Sequence, residues 1–346
     1  MPPIAWLQPG PLDTRTGGFI YNRRIMAAMD QDVRLVELGG GFPLPSPAER
    51  QDAARRLADL PDGTVSVIDG LALGVMADEA TAEARRVRLI GLVHHPLALE
   101  TGLSAEQARA FADNERRALA QVRHVIVTSE ATAASLAEYG VSSDRVDVVT
   151  PGTDPAPLQD SQDDGPIRLL CVATLTPRKG HAVLMSALAQ LTDLDWVLDC
   201  YGSLDRDPSC AADVRRQIER LGLADRVHLH GERDPGDLSK AYAAAGAMVL
   251  PSYHEGYGMA LAEALARGLP IVSTTAGAIP DTVPSGAGLL VPPGDSDSLA
   301  GALRKVVGDP VVRRGLSEGA AKARATLPTW PAQAARFSDI LRRIAA

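Results

Sequence analysis

The stretch VLPSYHEGYGMALAEALARGLPIV, residues 249–272, reads as strand, loop, helix and strand in close succession. An apolar run ends at Ser252. A loop carrying Glu255, Gly256, Tyr257 and Gly258 follows it. A helix starts near Met259 and runs to Arg267, where Gly268 stops it and Pro270 opens the next apolar run. Strand–helix–strand units of this kind build parallel sheets with helices on both faces. Ligands of such sheets bind in the loops beyond the carboxyl ends of the strands. The 252–258 loop is therefore a candidate site. Its glycines leave the helix N–H groups open to an anion. Glu255 and Glu263 frame that position. The flanks of Glu263 (Leu261, Ala262, Ala264 and Leu265) are apolar, and a glutamate among them is costly unless it is paired.

The same unit recurs outward from this stretch. Apolar runs at 4–8, 33–38, 65–69, 88–95, 124–129 and 146–151 predict one set of strands. Runs at 168–175, 195–202, 227–231, 247–252, 270–275 and 288–293 predict a second. Helical patterns at 105–122, 181–191 and 212–222 lie between them, and 330–346 is one more amphipathic helix. Between the two sets, TPGTDPAPLQDSQDDGP (150–166) has no periodicity and a linker composition. The expectation is an α/β chain of two doubly wound parallel-sheet domains facing across a cleft, a common setting for a ligand site. Domain boundaries are set at 1–153 and 154–328, with a C-terminal helix over 329–346. The stretch LGGGFPLPSPAER (38–50) is expected to be irregular.

Composition narrows the function classes. The chain has 346 residues, 45% of them hydrophobic, and a formal net charge of −8. An acidic balance disfavours nucleic acid as a partner, because phosphate binding needs a basic field. Cys171, Cys200 and Cys210 make neither a disulfide framework nor a Cys-x-x-Cys pair, which fits a reducing cytoplasm. The start MPPIAWLQPGPLD does not read as a signal peptide, and no window is long and apolar enough to span a membrane. Peripheral contact with a membrane surface stays compatible with this reading.

Three further segments follow predicted strands. Gly17-Gly18 precedes a helix that starts near Phe19, so backbone N–H groups there are open to a phosphate. The spacing is not Gly-x-Gly-x-x-Gly, which disfavours a nicotinamide dinucleotide. His94-His95-Pro96 closes a buried strand. Pro96 holds His95 extended, and alternation then sends the two rings to opposite sides, so at most one serves a site. Arg178-Lys179-Gly180 places two cations between a strand and a helix, where they can neutralise phosphate.

At this point the chain resembles the family 4 retaining glycosyltransferases with the GT-B fold. The resemblance rests on the Glu-x7-Glu motif from Glu255 to Glu263, with Pro-Ser-x-x-Glu-Gly-aromatic-Gly ahead of it and Gly-x-Pro behind it. Gly17-Gly18, His94, VIVTSEATAASLAEYGV (125–141), VVTPGTD (148–154), 277–303 and Trp330 match in order. The resemblance implies a Rossmann-like acceptor domain, a Rossmann-like donor domain and a final helix that returns to the first. It implies transfer of a sugar from a UDP- or GDP-sugar to a sugar, lipid-linked or small-molecule acceptor, with retention at the anomeric carbon. Arg178, Lys179 and the N–H groups of Gly256, Tyr257, Gly258 and Met259 would hold the diphosphate, with Gly17 and Gly18 beside it. Glu255 would contact sugar hydroxyls, Glu263 the ribose, and His94 the reacting sugar. Two positions depart from the pattern. Ala173-Thr174-Leu175 stands where Gly-Arg-Leu is usual, and Gly277-Ala278 stands where Gly-Gly is usual.

On this reading no cofactor and no metal is needed, because cations and a helix N-terminus stabilise the leaving diphosphate. Glu255 and Glu263 are then not the paired carboxylates of a glycosidase, which must flank one glycosidic bond. The competing readings are a sugar-nucleotide epimerase or phosphorylase on the same fold, and a non-catalytic nucleotide-sugar binder or degenerate subunit. Thr174 in place of the arginine favours the last.

Overall fold

The computed structural model describes residues 3–159 and 165–345, so part of the linker at 150–166 lies outside the described residues. The chain divides into two compact units. One comprises Met1–Gly152 with Pro328–Ala346, and the other comprises Thr153–Leu327.

The first unit holds β1 (Ile4–Pro9), β2 (Val33–Leu38), β3 (Val65–Asp69), β4 (Arg88–Val93), β5 (His124–Val127) and β6 (Val146–Val148). They form one sheet in the order β2-β1-β3-β4-β5-β6, and every pair is parallel. Every residue of β1 and β3 is buried, as a strand covered on both faces requires. After β2 the chain returns past β1 to add β3 on its other side. The strand order therefore reverses between β1 and β3, and a crevice opens there at the carboxyl ends.

The second unit repeats the plan with β7 (Ile167–Val172), β8 (Trp196–Tyr201), β9 (Val227–Gly231), β10 (Ala247–Leu250), β11 (Ile271–Thr274) and β12 (Gly288–Val291). The order is β12-β11-β10-β7-β8-β9, again parallel throughout. Its reversal point lies between β7 and β10. All twelve strands overlap the predicted runs, and several are shorter at the carboxyl end. β4 stops at Val93, so His94 and His95 belong to the loop and not to the strand. Pairing is lost there because β5 ends at Val127, opposite Val93.

Two other expectations change. The 38–50 stretch is not irregular throughout, because a helix begins at Pro47. Ser46 and Glu49 form a reciprocal capping box, and Glu49 also accepts from the Gly41 N–H, which folds the preceding turn onto the helix. The helix predicted to run to 122 is Ala105–Leu119.

The final helix, Trp330–Ala345, belongs to the first unit. Its buried face carries Trp330, Ala334, Phe337 and Leu341. Phe337 stacks on Trp6 of β1 with ring centroids 5.2 Å apart, and Trp330 meets Tyr21 edge-on at 6.2 Å. Tyr21 in turn donates to the carbonyl of Val149 at 2.9 Å. At the far end Arg88 donates to the carbonyl of Ala345. The helix thus covers one face of the first sheet with large aromatic surfaces. Replacing fully buried Phe337 with alanine should cost about 3–5 kcal/mol. The measurement is urea denaturation, where the midpoint of the variant falls while its folded baseline stays native-like. An unchanged midpoint would mean that this helix does not seal the core.

Candidate functional site

The two loops that flank the second reversal point meet through backbone. The turn Pro177–Lys179 follows β7, and Gly180 closes it in the left-handed region at φ +71°. A Cβ on Gly180 would stand 2.1 Å from the carbonyl oxygen of Pro251, just after β10. Only glycine permits this approach. The Tyr253 N–H then donates to the carbonyl of Arg178 at 2.7 Å.

Side chains complete the junction. Lys179 Nζ donates to Glu255 Oε1 at 2.6 Å, and Ser252 Oγ donates to the same oxygen at 2.6 Å. Arg178 donates to the carbonyl of His254 at 2.8 Å and lies 4.0 Å from Glu255 Oε2. Glu255 is only 6% exposed. Burial works against its charge, but Lys179 and Arg178 outweigh it and hold the carboxyl below the ordinary carboxylate range.

The loop that follows β10 is pinned from the β11 side. Thr274 Oγ1 donates to the carbonyl of Ser252 at 2.7 Å, and the Ala278 N–H donates to that of Glu255 at 2.9 Å. Thr282 Oγ1 donates to the carbonyl of Tyr257 at 2.6 Å. Gly277 sits at φ +56°, where a Cβ would stand 2.3 Å from the Glu255 carbonyl oxygen. Ala278 is fully buried. The Gly277-Ala278 departure therefore keeps the glycine that the backbone requires.

With three carbonyls tied back, the opposite edge of the turn is left with N–H groups. Those of Gly256, Tyr257, Gly258 and Met259 find no acceptor among the described residues. Gly258 is the N-cap of the helix Met259–Ala266 at φ +91° and supplies no side chain. The helices Gly17–Ala28 and His181–Leu188 also begin without a side-chain cap. By contrast, Ser46, Ser104, Ser129, Asp207, Asp234, Asp295 and Asp309 each cap a helix with their own oxygen. Among the described helices of eight residues or more, the uncapped ones follow β1, β7 and β10, strands that flank the two reversal points. A run of free N–H groups beside two cations has the chemistry to hold an anion.

Glu263 lies one turn into the Met259–Ala266 helix, half-buried. Its Oε2 accepts from the Tyr242 hydroxyl at 2.9 Å. Tyr242 is fully buried, and Arg267 lies over its ring, 4.5 Å from the centroid. This pairing answers the cost of a glutamate among apolar neighbours.

In the first unit, Gly18 lies against the ring of His94, and a Cβ there would stand 3.0 Å from Cδ2. Tyr21 meets the same ring edge-on at 5.3 Å. His94 Nε2 is 3.2 Å from Asn22 Oδ1 and 3.5 Å from Asp69 Oδ2. The Asn22 amide donates to Gln8 Oε1 at 2.7 Å and to Asp69 Oδ2 at 2.6 Å. Both of its protons are used, so Oδ1 must accept, and His94 carries a proton on Nε2. Gln8, Asn22 and Asp69 are all buried.

The structure thus gathers Arg178, Lys179, Glu255 and the N–H groups of 256–259 at one reversal point, with Glu263 on the helix that follows. It gathers Gly18 and His94 at the other, and Gly17 opens the adjoining helix. His95 turns to Glu100, at 3.5 Å. The reading from sequence missed Ser252, Tyr242, Gln8, Asn22 and Asp69. Asp69 and Gln8 stood in sequence as polar residues at or near the ends of apolar strands, which is a usable signal. Tyr242 and Asn22 gave none. Asp205-Arg206-Asp207 follows β8, and Asp207 is spent on the Cys210 N–H.

The folded pKa of Glu255 lies below its ordinary value of 4.5, so the cluster contributes stability above that pH and loses it as pH falls through the folded value. In Lys179→Met the principal cation is gone and burial should raise the carboxyl. The variant then loses stability as pH rises above 4.5. Its melting-temperature deficit against the wild type should be largest at neutral pH and should shrink toward pH 4. A deficit that does not change with pH would remove the ion pair from this account.

Residues 158–323 match the family model described as Glycosyl transferases group 1, and residues 26–157 match that described as Glycosyltransferase Family 4. The MMP alpha-(1->4)-mannosyltransferase of Mycolicibacterium hassiacum is 27% identical over 342 residues, covering 93% of this chain and 82% of that protein. The D-inositol 3-phosphate glycosyltransferase of Corynebacterium glutamicum is 31% identical over 222 residues, covering 58% of this chain and 52% of that one. Among solved structures, the sucrose-phosphate synthase of Thermosynechococcus elongatus superposes with a TM-score of 0.81 at 24% identity, covering 99% of both chains. Anabaena HepE in complex with UDP and glucose superposes with a TM-score of 0.77 at 20% identity, covering 99% of this chain and all of that one.

Proposed function

The chain is a glycosyltransferase of the family 4 type with the GT-B fold, and we propose that it moves a sugar from a UDP- or GDP-sugar to a hydroxyl acceptor with retention at the anomeric carbon. The observation that carries the donor assignment is the row of free N–H groups at 256–259, set beside Lys179 and Arg178. A nucleoside diphosphate offers the negative charge that this row and these cations complement.

Breaking the anomeric bond moves charge onto the leaving diphosphate and leaves the sugar ring electron-deficient. Lys179, Arg178 and the helix N-terminus stabilise the leaving group, and the reading assigns no metal ion to that task. These donors are fixed before the donor sugar arrives, so little reorganisation is needed as charge develops. Oε1 of Glu255 is occupied by Lys179 and Ser252, which leaves Oε2 for hydroxyls of the donor sugar. Glu263, held by Tyr242, receives the ribose hydroxyls. His94, protonated on Nε2, keeps Nδ1 as a lone-pair acceptor for a sugar hydroxyl. Gly17 and Gly18 present helix N–H groups beside His94. The acceptor is a sugar, a lipid-linked sugar or a small polyol. The D-inositol 3-phosphate glycosyltransferase, named for a phosphorylated polyol, supports the small-molecule end of that range. Acceptor access from a membrane surface is compatible with this reading.

Incubation with a panel of UDP- and GDP-sugars and acceptors, followed by release of nucleoside diphosphate, tests the reading. The wild type should release it with one donor. Glu255→Ala should stop release, with a circular dichroism spectrum like the wild type. Full turnover in Glu255→Ala would sink the assignment. Failure of every donor to raise the wild-type melting temperature would favour the degenerate subunit that Thr174 suggests.

A further inference from the structure

Beneath the phosphate turn lies a cluster that the transfer reaction does not use. Cys171 on β7 and Cys200 on β8 are register partners on adjacent parallel strands. His181, the first residue of the helix His181–Leu188, completes a triangle with them. Its Nε2 is 3.7 Å from Cys171 Sγ, and the three ligand atoms all lie within 4.8 Å of one another. All three residues are buried, with His181 only 2% exposed. The ring makes no hydrogen bond to nitrogen or oxygen among the described residues, and its Nδ1 has no partner at all. A buried imidazole whose only polar neighbour is sulfur is unusual, because buried polar groups are ordinarily satisfied. Sequence spacing hides the set. Its members are scattered, and only the sheet register brings them together.

We propose that Cys171, Cys200 and His181 form a site for a thiophilic divalent cation of the zinc type. Zinc bonds sulfur at about 2.3 Å and imidazole nitrogen at about 2.0–2.1 Å, which sets ligand atoms roughly 3.5–4.0 Å apart. The 3.7 Å separation already fits, and the remaining sides need to close by less than about 1.5 Å. Charge balance agrees. A divalent ion with two thiolates and a neutral imidazole carries no net charge, as the surrounding apolar core demands. Binding displaces both thiol protons to solvent, so each ion taken up releases two protons. The ion would tie β7, β8 and the start of one helix at a single point. That point lies one residue beyond Gly180, and so next to the turn that carries Arg178 and Lys179. The site is a structural pin for the phosphate turn.

The test uses the full chain, stripped with chelator and titrated with cobalt(II) and then zinc(II). The expected result is one equivalent bound, a thiolate-to-cobalt charge-transfer band, and displacement of cobalt by zinc with a rise in melting temperature. Cys210→Ser should behave as the wild type. Cys200→Ser and His181→Gln should lose the band and the stoichiometric uptake. If a variant fails to fold, the wild-type titration alone decides. Less than about a tenth of an equivalent bound to folded wild type, or a band that survives in both folded variants, overturns the site. Donor-dependent release of nucleoside diphosphate, measured on the same stripped sample, keeps this outcome separate from that of the transfer assignment.

Discussion

A carboxylate buried at the end of a strand has to be paired, and Glu255 is paired with a cation from a different strand's loop. Lys179 follows β7 and Glu255 follows β10, and the two strands lie side by side where the order reverses. The pair fixes both loops at once. It depends on two backbone approaches, at Gly180 against Pro251 and at Gly277 against Glu255, neither of which tolerates a side chain. Removing one member of such a pair would leave a charge in a site that water cannot reach well. The glycine-rich turn after β10 inherits its geometry from this junction. The carbonyls of the turn are drawn to the β11 side, and its N–H groups are left for a ligand.

The first unit solves a comparable problem with two amides and a single carboxylate. Gln8, Asn22 and Asp69 come from β1, the helix after it and the end of β3, and they converge on His94 after β4. Each proton of the Asn22 amide has a designated acceptor, so the tautomer of His94 is set by the network and not by the histidine itself. Gly18 packs on the ring face, which gives that glycine a steric reason independent of any phosphate.

Much of the fold could be read from the sequence, because its signals are local. A parallel strand covered on both faces is a short apolar run, and each of the twelve was bounded by turn or helix residues that mark its ends. His94 was misplaced by one step, since its apolar predecessors continue the strand pattern while hydrogen-bond pairing stops at Val93. The candidate site residues were readable where they sit in glycine-rich loops, as Glu255 and Lys179 do. Tyr242 was not readable, because a tyrosine in a helix looks like core until its hydroxyl is seen 2.9 Å from Glu263. Cys171, His181 and Cys200 were unreadable as a group for the same reason, since their proximity is a property of sheet register.

How the longer helices begin sets three ends apart from the others without reference to any relative. A capped helix has spent its first N–H groups on a serine or aspartate oxygen, and eight helices among the described residues have done so. The helices after β1, β7 and β10 begin at Gly17, after Gly180 and after Gly258, and have spent none on a side chain. Relative to a serine or aspartate cap, a glycine N-cap such as Gly180 or Gly258 costs only about a few tenths of a kcal/mol. Three uncapped ends at the reversal points of two sheets are a cost that a bound anion would recover. At Gly180 and Gly258 the glycine that leaves the end uncapped also opens the backbone to a ligand, so the stability given up and any binding gained would arise from the same residue.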